Sequence, residues 1–255
     1  MVLLSGYVNG IYHDSPLAIP PHPCHLLPME RLFAGPSHLT PQLLLRAYAM
    51  GIFPMAESRS ARQVFWVDPQ MRAILPMDGF HVPRRLAKTI RRNPFEIRCD
   101  SDFEQTMRWC GAPARKRRET WINDEIVRAY TQLHHLGYAH SVECWRDGRM
   151  VGGIYGVSLG AAFFGESMFS RATDASKVAL VHLMARLRHG GFRLMDVQFV
   201  TSHLSQFGAV ELPRATYLER LTEAITTDAE FYSELSPAAA AAALAGVLQS
   251  STQTS

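Results

Sequence analysis

This sequence is short of the features that usually announce a function. Its four cysteines, Cys24, Cys99, Cys110 and Cys144, stand apart, with no CxxC pair and no regular framework. That argues against a disulfide scaffold and offers no recognisable zinc-ligand spacing, so reduced thiols and no metal are expected. No apolar run approaches the ~18 residues of a membrane span. The opening MVLLSGYVNGIYHDSP has no basic stretch ahead of a long apolar core, so no secretory signal is expected. A cytoplasmic protein away from membranes follows as the expectation. The chain has no P-loop, no GxGxxG and no HExxH, and GESMF at 165–169 is not a GxSxG nucleophile elbow. Charge is nearly balanced: the formal net charge is +3 and the pI about 8.7. Such a total excludes no partner, because a basic face can hide within it. At 255 residues, 47% hydrophobic and 19% charged, the chain is long and apolar enough for a large core in one or two domains.

What is present centres on residues 152–170, GGIYGVSLGAAFFGESMFS. Val151, Ile154, Tyr155 and Val157 make one strand, Gly160 a turn, and Ala161–Phe164 with Met168 and Phe169 a second strand. Apolar residues dominate, so both faces should be covered. Glu166 lies inside this run. A buried carboxylate is costly without partners, so it needs either an internal arginine or backbone amide, or a cationic ligand.

The rest of the chain divides around this centre. Residues 1–40, rich in Pro, Gly and His, read as loops or short strands. Thr40 caps a helix that has Pro41 in its first turn and stops at Gly51. Strands are expected at 65–67 and 72–75. Val82–Arg92 is an amphipathic helix with Leu86 and Ile90 inward and Arg84, Arg85, Lys88, Arg91 and Arg92 outward. Those cations are either a solvated face or a contact for phosphates. Arg115–Arg118 is a second basic cluster, in a loop. After a strand at 95–98, helices start at Asp102 and Asn123. From His140 the order is strand, strand, strand, helix, strand, short helix, strand, with Asp174 expected to cap the helix. This is the layout of a GNAT acyltransferase core. The fold class is therefore α+β. A small N-terminal α+β domain (1–79) precedes a GNAT-type domain (80–230) with a mixed β-sheet flanked by helices, and a frayed or disordered Ala-rich tail follows (231–255).

An acyl-CoA donor fits this layout poorly. GNAT enzymes hold its pyrophosphate on glycine-rich backbone at a helix N-terminus. Residues 170–177, SRATDASK, have no glycine there and carry an acid of the wrong sign.

GGIYGVSLG, FFGESMFS, ASKVAL and GFRLMDVQFVTSHLSQFGAVELPR, in that order, resemble the leucyl/phenylalanyl-tRNA–protein transferase family. GIFPM at 51–55, TWI at 120–122 and LHHLGYAHSVECW at 133–145 extend the resemblance from about Pro41 to about Leu221. A short glycine-rich acidic motif usual in the family is replaced here by Ala34–Leu39. The resemblance implies transfer of Leu or Phe, with Met a third candidate, from aminoacyl-tRNA to the α-amino group of proteins beginning with Lys or Arg, marking them for degradation in an N-degron pathway. It implies no cofactor, because the ester is already activated, and a monomer is expected. A CoA-dependent N-acyltransferase and a non-catalytic tRNA-binding module are the alternatives.

The resemblance also assigns roles. Glu166 would hold the cationic first residue of the acceptor. Asp196 and Gln198, two apart on a strand and so facing the same way, would be catalytic: the Asp polarises the Gln, whose carbonyl oxygen accepts a hydrogen bond from the attacking amine. Some members carry Asn where this chain has Thr201. An apolar pocket for the aminoacyl side chain would draw on Ile154, Phe163, Met168 and Leu180, each of which could equally be ordinary core. Arg84, Arg85, Lys88, Arg91 and Arg92 would meet tRNA phosphates. Trp66 and Trp121 would stack on the terminal adenosine, with core packing the alternative for both.

Overall fold

The computed structural model describes residues 39–61, 63–113 and 119–250. The motif at 34–38, the basic cluster at 115–118, Cys24 and the last five residues lie outside them. Thr40 opens α1 (Pro41–Ala49) by accepting the Leu43 amide at 3.2 Å, and Pro41 takes a first-turn position where no amide donor is needed. Gly51, at φ +78°, turns the chain away. The GIFPM stretch then contains a strand, β1 (Phe53–Ala56), which pairs with β2 (Val64–Val67) in a separate two-stranded sheet.

The next strand, β3 (Met71–Leu75), was grouped by its sequence with this N-terminal unit. It is instead hydrogen-bonded inside the large sheet, between two strands from the far end of the chain. The physical reason is its burial. Arg72, Ala73, Ile74 and Leu75 are all buried, so both faces of β3 need cover that a hairpin cannot give.

The remaining elements are α2 (Arg84–Arg91), β4 (Glu96–Cys99), α3 (Phe103–Gly111), α4 (Asp124–His135), β5 (Ala139–Arg146), β6 (Arg149–Leu159), β7 (Ala162–Ser170), α5 (Ala175–His189), β8 (Leu194–Gln198), α6 (Ser202–Ser205), β9 (Val210–Pro213), α7 (Arg214–Ile225) and α8 (Pro237–Ser250). Asp102 and Asn123 cap α3 and α4 by accepting the amides of Gln105 and Ile126. Asp174 occupies the N-cap position of α5, but its side chain accepts no amide there. It sits at φ +63° and pairs with Lys177 at 3.1 Å. The seven-stranded sheet runs β4-β5-β6-β7-β8-β3-β9 and is mixed, since only β7 and β8 are parallel.

Helices cover both faces. On one, α5 and α2 pack with Val142, Cys144, Ile154, Phe163, Met168 and Met195. On the other, α1, α3, α4 and α7 pack with Tyr155, Val157, Phe164 and Leu194. The Ala-rich tail, expected to be frayed or disordered, forms α8 over 237–250 and packs on the α5 face, where Val247 is fully buried. Phe231 leads into it, stacking on His140 and Phe163. Alanine supplies the helix propensity and the small side chains let α8 lie close to its neighbour. Among the described residues no helix is long and apolar enough to cross a membrane.

Candidate active site

The site grows from an irregularity in the β6–β7 pair. Tyr155 pairs with Ser167 and Gly156 with Gly165, so Glu166 is an extra residue with no partner across the ladder. Such a bulge re-aims side chains. Gly156 is required there: a Cβ would lie 2.2 Å from the Phe164 carbonyl oxygen. The bulge turns Glu166, 2% exposed, toward α1 and α4. The Tyr48 hydroxyl donates to its Oε1 at 2.7 Å, and the Tyr130 hydroxyl bonds that of Tyr48. Burial pushes the Glu166 carboxyl up to about 8, with Asp196 adding to the rise while the Tyr48 bond and the charge of Arg72 oppose it. Burial and the Glu166 charge raise the Tyr48 and Tyr130 hydroxyls, so they act as donors.

Across from Glu166, β8 ends at Gln198, whose Nε2 donates to Glu166 Oε1 at 3.2 Å. Its own Oε1 is buried with no hydrogen-bond partner among the described residues. Gln198 is held at φ +60°, a left-handed conformation that a non-glycine residue adopts at a cost. What holds it is Asp196, whose Oδ1 accepts the Gln198 amide at 2.7 Å. Asp196 is itself fixed by Arg72, whose Nε lies 2.9 Å from both carboxylate oxygens and whose Nη2 lies 2.6 Å from Oδ2. The Tyr217 hydroxyl donates to Oδ2 at 2.5 Å. Arg72 also donates to the Gly51 carbonyl at 2.9 Å and lies between the rings of Phe53 and Tyr217. Burial works most strongly against its charge, but Asp196, Tyr217 and Glu166 together outweigh it and hold the guanidinium above its ordinary value.

Glu166, Asp196 and Gln198, named from the sequence, thus form one connected network. Tyr48, Tyr130, Tyr217 and Arg72, which complete it, were not named. Their signal was present: buried tyrosines need a partner for the hydroxyl, and an arginine in an apolar strand needs an acid. Residues 156–160, GVSLG, do fit the letters GxSxG. Here they run from strand to turn to strand, and Ser158 lies within the β6 ladder opposite Phe163, so this is no strand-to-helix elbow.

Ile154, Phe163, Met168 and Leu180 come together, but in the α5-side cluster, across the sheet from the Glu166 carboxylate. The β7–β8 pairing ends at Phe164 and Asp196, and just beyond it the Gln198 side chain reaches Glu166. Trp66 and Trp121 belong with the Glu166 side, Trp66 half-buried and Trp121 buried. Arg84, Arg85, Lys88, Arg91 and Arg92 are all exposed on α2, while Leu86, Ala87 and Ile90 anchor it. Arg85, Lys88 and Arg92 line a cleft with Arg146, Thr173 and Asp174. Among the described residues no three His, Cys, Asp or Glu side chains group as metal ligands would.

Residues 37–70 match the family model described as leucyl/phenylalanyl-tRNA protein transferase N-terminal domain, and residues 74–222 match that of leucyl/phenylalanyl-tRNA protein transferase. A leucyl/phenylalanyl-tRNA–protein transferase of Paramagnetospirillum magneticum is 62% identical over 193 residues, covering 76% of this chain and 92% of its own. Proteins of the same name from Phenylobacterium zucineum and Zymomonas mobilis are 58% and 56% identical, each over 74% of this chain and over 86% and 70% of their own lengths.

Proposed function

The chain belongs to the leucyl/phenylalanyl-tRNA–protein transferase family and is an aminoacyltransferase, and from that premise we propose how its residues divide the work. The donor is an aminoacyl-tRNA carrying Leu, Phe or Met, and the acceptor is the α-amino group of a protein beginning with Lys or Arg, which the transfer marks for degradation. Glu166, whose burial favours the protonated carboxyl before the acceptor binds, gives up that proton to solvent as the cationic first side chain enters and becomes its counter-ion. Gln198 Oε1 accepts a hydrogen bond from the attacking amine, and Asp196, anchored by Arg72 and Tyr217, keeps Gln198 in place. The nitrogen attacks the ester carbonyl, a C–N bond forms, and the ester C–O bond breaks. The amine proton leaves to the departing 3′ oxygen of the tRNA. An ester is already activated, so the residues need mainly to hold the two reactants at bonding range.

The observation that carries this reading is the unpartnered, buried Gln198 Oε1 in the same hydrogen-bonded group as Glu166. A buried acceptor without a donor is costly, and the incoming amine supplies one. The aminoacyl side chain is received by the α5-side cluster of Ile154, Phe163, Met168 and Leu180. Apolar pockets discriminate by only about 1–3 kcal/mol per methylene, which suits acceptance of Leu, Phe and Met. Trp66 and Trp121, on the Glu166 side, stack on the terminal adenosine. The reading is of a monomer, acting in the cytoplasm where its aminoacyl-tRNA donor is made. The direct test is to mix the protein with Leu-tRNA and a peptide beginning with Arg or Lys. The peptide should gain the mass of one leucine; gain of an acetyl group from acetyl-CoA without tRNA would replace this reading with the CoA-dependent one.

The α2 cations contact tRNA phosphates. Changing Arg84, Arg85 and Lys88 together to alanine should weaken tRNA binding and flatten its dependence on salt by about 0.7–0.9 in log–log slope per lost phosphate contact. Binding titrations from low to moderate salt measure this. An unchanged slope would make α2 a solvated face.

A further inference from the structure

The niche around Glu166 has more hydrogen-bonding capacity than Glu166 and Gln198 use. Tyr155 lies directly across the β6–β7 pair from Ser167. Residues opposite one another share a face, and here that face is the one that holds Tyr130 and Tyr48. The bulge therefore puts two consecutive residues, Glu166 and Ser167, on the same side. Tyr155 and Ser167 are fully buried, and neither hydroxyl has a hydrogen-bond partner among the described residues. The Tyr155 ring stands edge-on to Tyr130, with centroids 6.1 Å apart, and Tyr130 bonds the tyrosine that donates to Glu166. The Glu166 charge reaches Tyr155, where it adds to burial in raising the hydroxyl. For packing alone, phenylalanine and alanine would serve better than two buried hydroxyls without partners.

We propose that the hydroxyls of Tyr155 and Ser167 are additional acceptors in a subsite that reads a guanidinium, so that the site distinguishes an N-terminal Arg from an N-terminal Lys. This rests on the reading of Glu166 as counter-ion of the acceptor's first side chain. A guanidinium carries five N–H donors in a rigid plane, and one carboxylate takes two of them side by side. The outward N–H groups still need acceptors once the group is buried. Hydroxyl oxygens on the same side of the sheet as the carboxylate meet that need. An ammonium is compact, has three donors that rotate freely, and gains little from acceptors fixed at the edge of a plane.

The test uses the full chain, Leu-tRNA and two peptides that differ only in beginning with Arg or Lys. Tyr155→Phe and Ser167→Ala should each lower kcat/KM for the Arg peptide ~10-fold and for the Lys peptide by less than ~3-fold, as expected for losing one hydrogen bond to a charged group. Thermal midpoints should be unchanged or higher, because each variant removes an unpartnered hydroxyl. Glu166→Gln should lower both peptides. If both hydroxyl variants keep the wild-type ratio of Arg to Lys while Glu166→Gln fails on both, the subsite is overturned and the reading of Glu166 stands. If Glu166→Gln leaves both peptides untouched, that reading falls and the subsite falls with it.

Discussion

Glu166→Gln should cut kcat/KM for acceptors beginning with Arg or Lys by about 30- to 5,000-fold, the equivalent of the 2–5 kcal/mol typical of breaking a buried, hydrogen-bonded charge pair. Binding of tRNA should stay within about twofold, because phosphate contacts dominate affinity for a nucleic acid and Glu166 makes none. Glutamine keeps the shape and still accepts from Tyr48, so the loss isolates the charge. Stability should move with pH in a defined direction. The folded state raises this carboxyl from 4.5 to about 8, so the folded chain keeps a proton that the unfolded chain has released. The stabilisation is complete below about pH 4.5 and is lost as pH rises through about 8, amounting to a few kcal/mol on the order-of-magnitude conversion of pKa to energy. Glutamine cannot titrate. Thermal midpoints of wild type and variant, measured from about pH 5 to about pH 8, should therefore diverge in the variant's favour as pH rises. Parallel curves would mean that Glu166 is not the buried acid described here.

Arg72→Met should destabilise the fold by about 3–5 kcal/mol, since it strands the carboxylate of Asp196 in an apolar interior. That is a large share of the roughly 5–15 kcal/mol that holds a typical protein folded. The effect should be greater than for an exposed pair such as Arg98–Glu96, because Arg72 and Asp196 are 1% and 0% exposed. Arg72→Met combined with Asp196→Leu should recover much of the stability, because no unpaired charge is then left buried. Activity should not return with it: the amide of Gln198 loses Asp196 Oδ1, the side-chain acceptor that supports the left-handed conformation aiming Gln198 at Glu166. Urea denaturation and transfer assays on the single and double variants separate the two effects. A loss of less than about 1 kcal/mol in Arg72→Met would show that the pair does not anchor β3.

Much of this was legible in the order of residues. Thr40, Pro41 and Gly51 mark α1 by local chemistry, because a cap and a left-handed turn involve only neighbours in the chain. The spacing of Leu86 and Ile90 sorts α2 into an apolar and a basic face for the same reason. Glu166 stands out as an acid in an apolar run, and the two-residue spacing of Asp196 and Gln198 puts them on one side of a strand. The motifs in order also pointed to the family. What stayed hidden was every partner that packing supplies. Arg72 and Asp196 meet across 124 positions of chain, and Tyr48 reaches Glu166 across 118. Side-chain periodicity tells that a face is buried but not what buries it. The bulge that turns Glu166 and Ser167 the same way breaks the alternation on which strand reading depends. The tail was misjudged for a related reason: an alanine run carries no amphipathic stripe, so only its contact with α5 identifies α8 as part of the core. The sequence alone determined which residues are able to carry chemistry, because charge and hydrogen-bonding capacity belong to the residue itself. The tertiary structure decided which of them act together, because a buried charge takes its meaning from the partner that long-range packing brings to it.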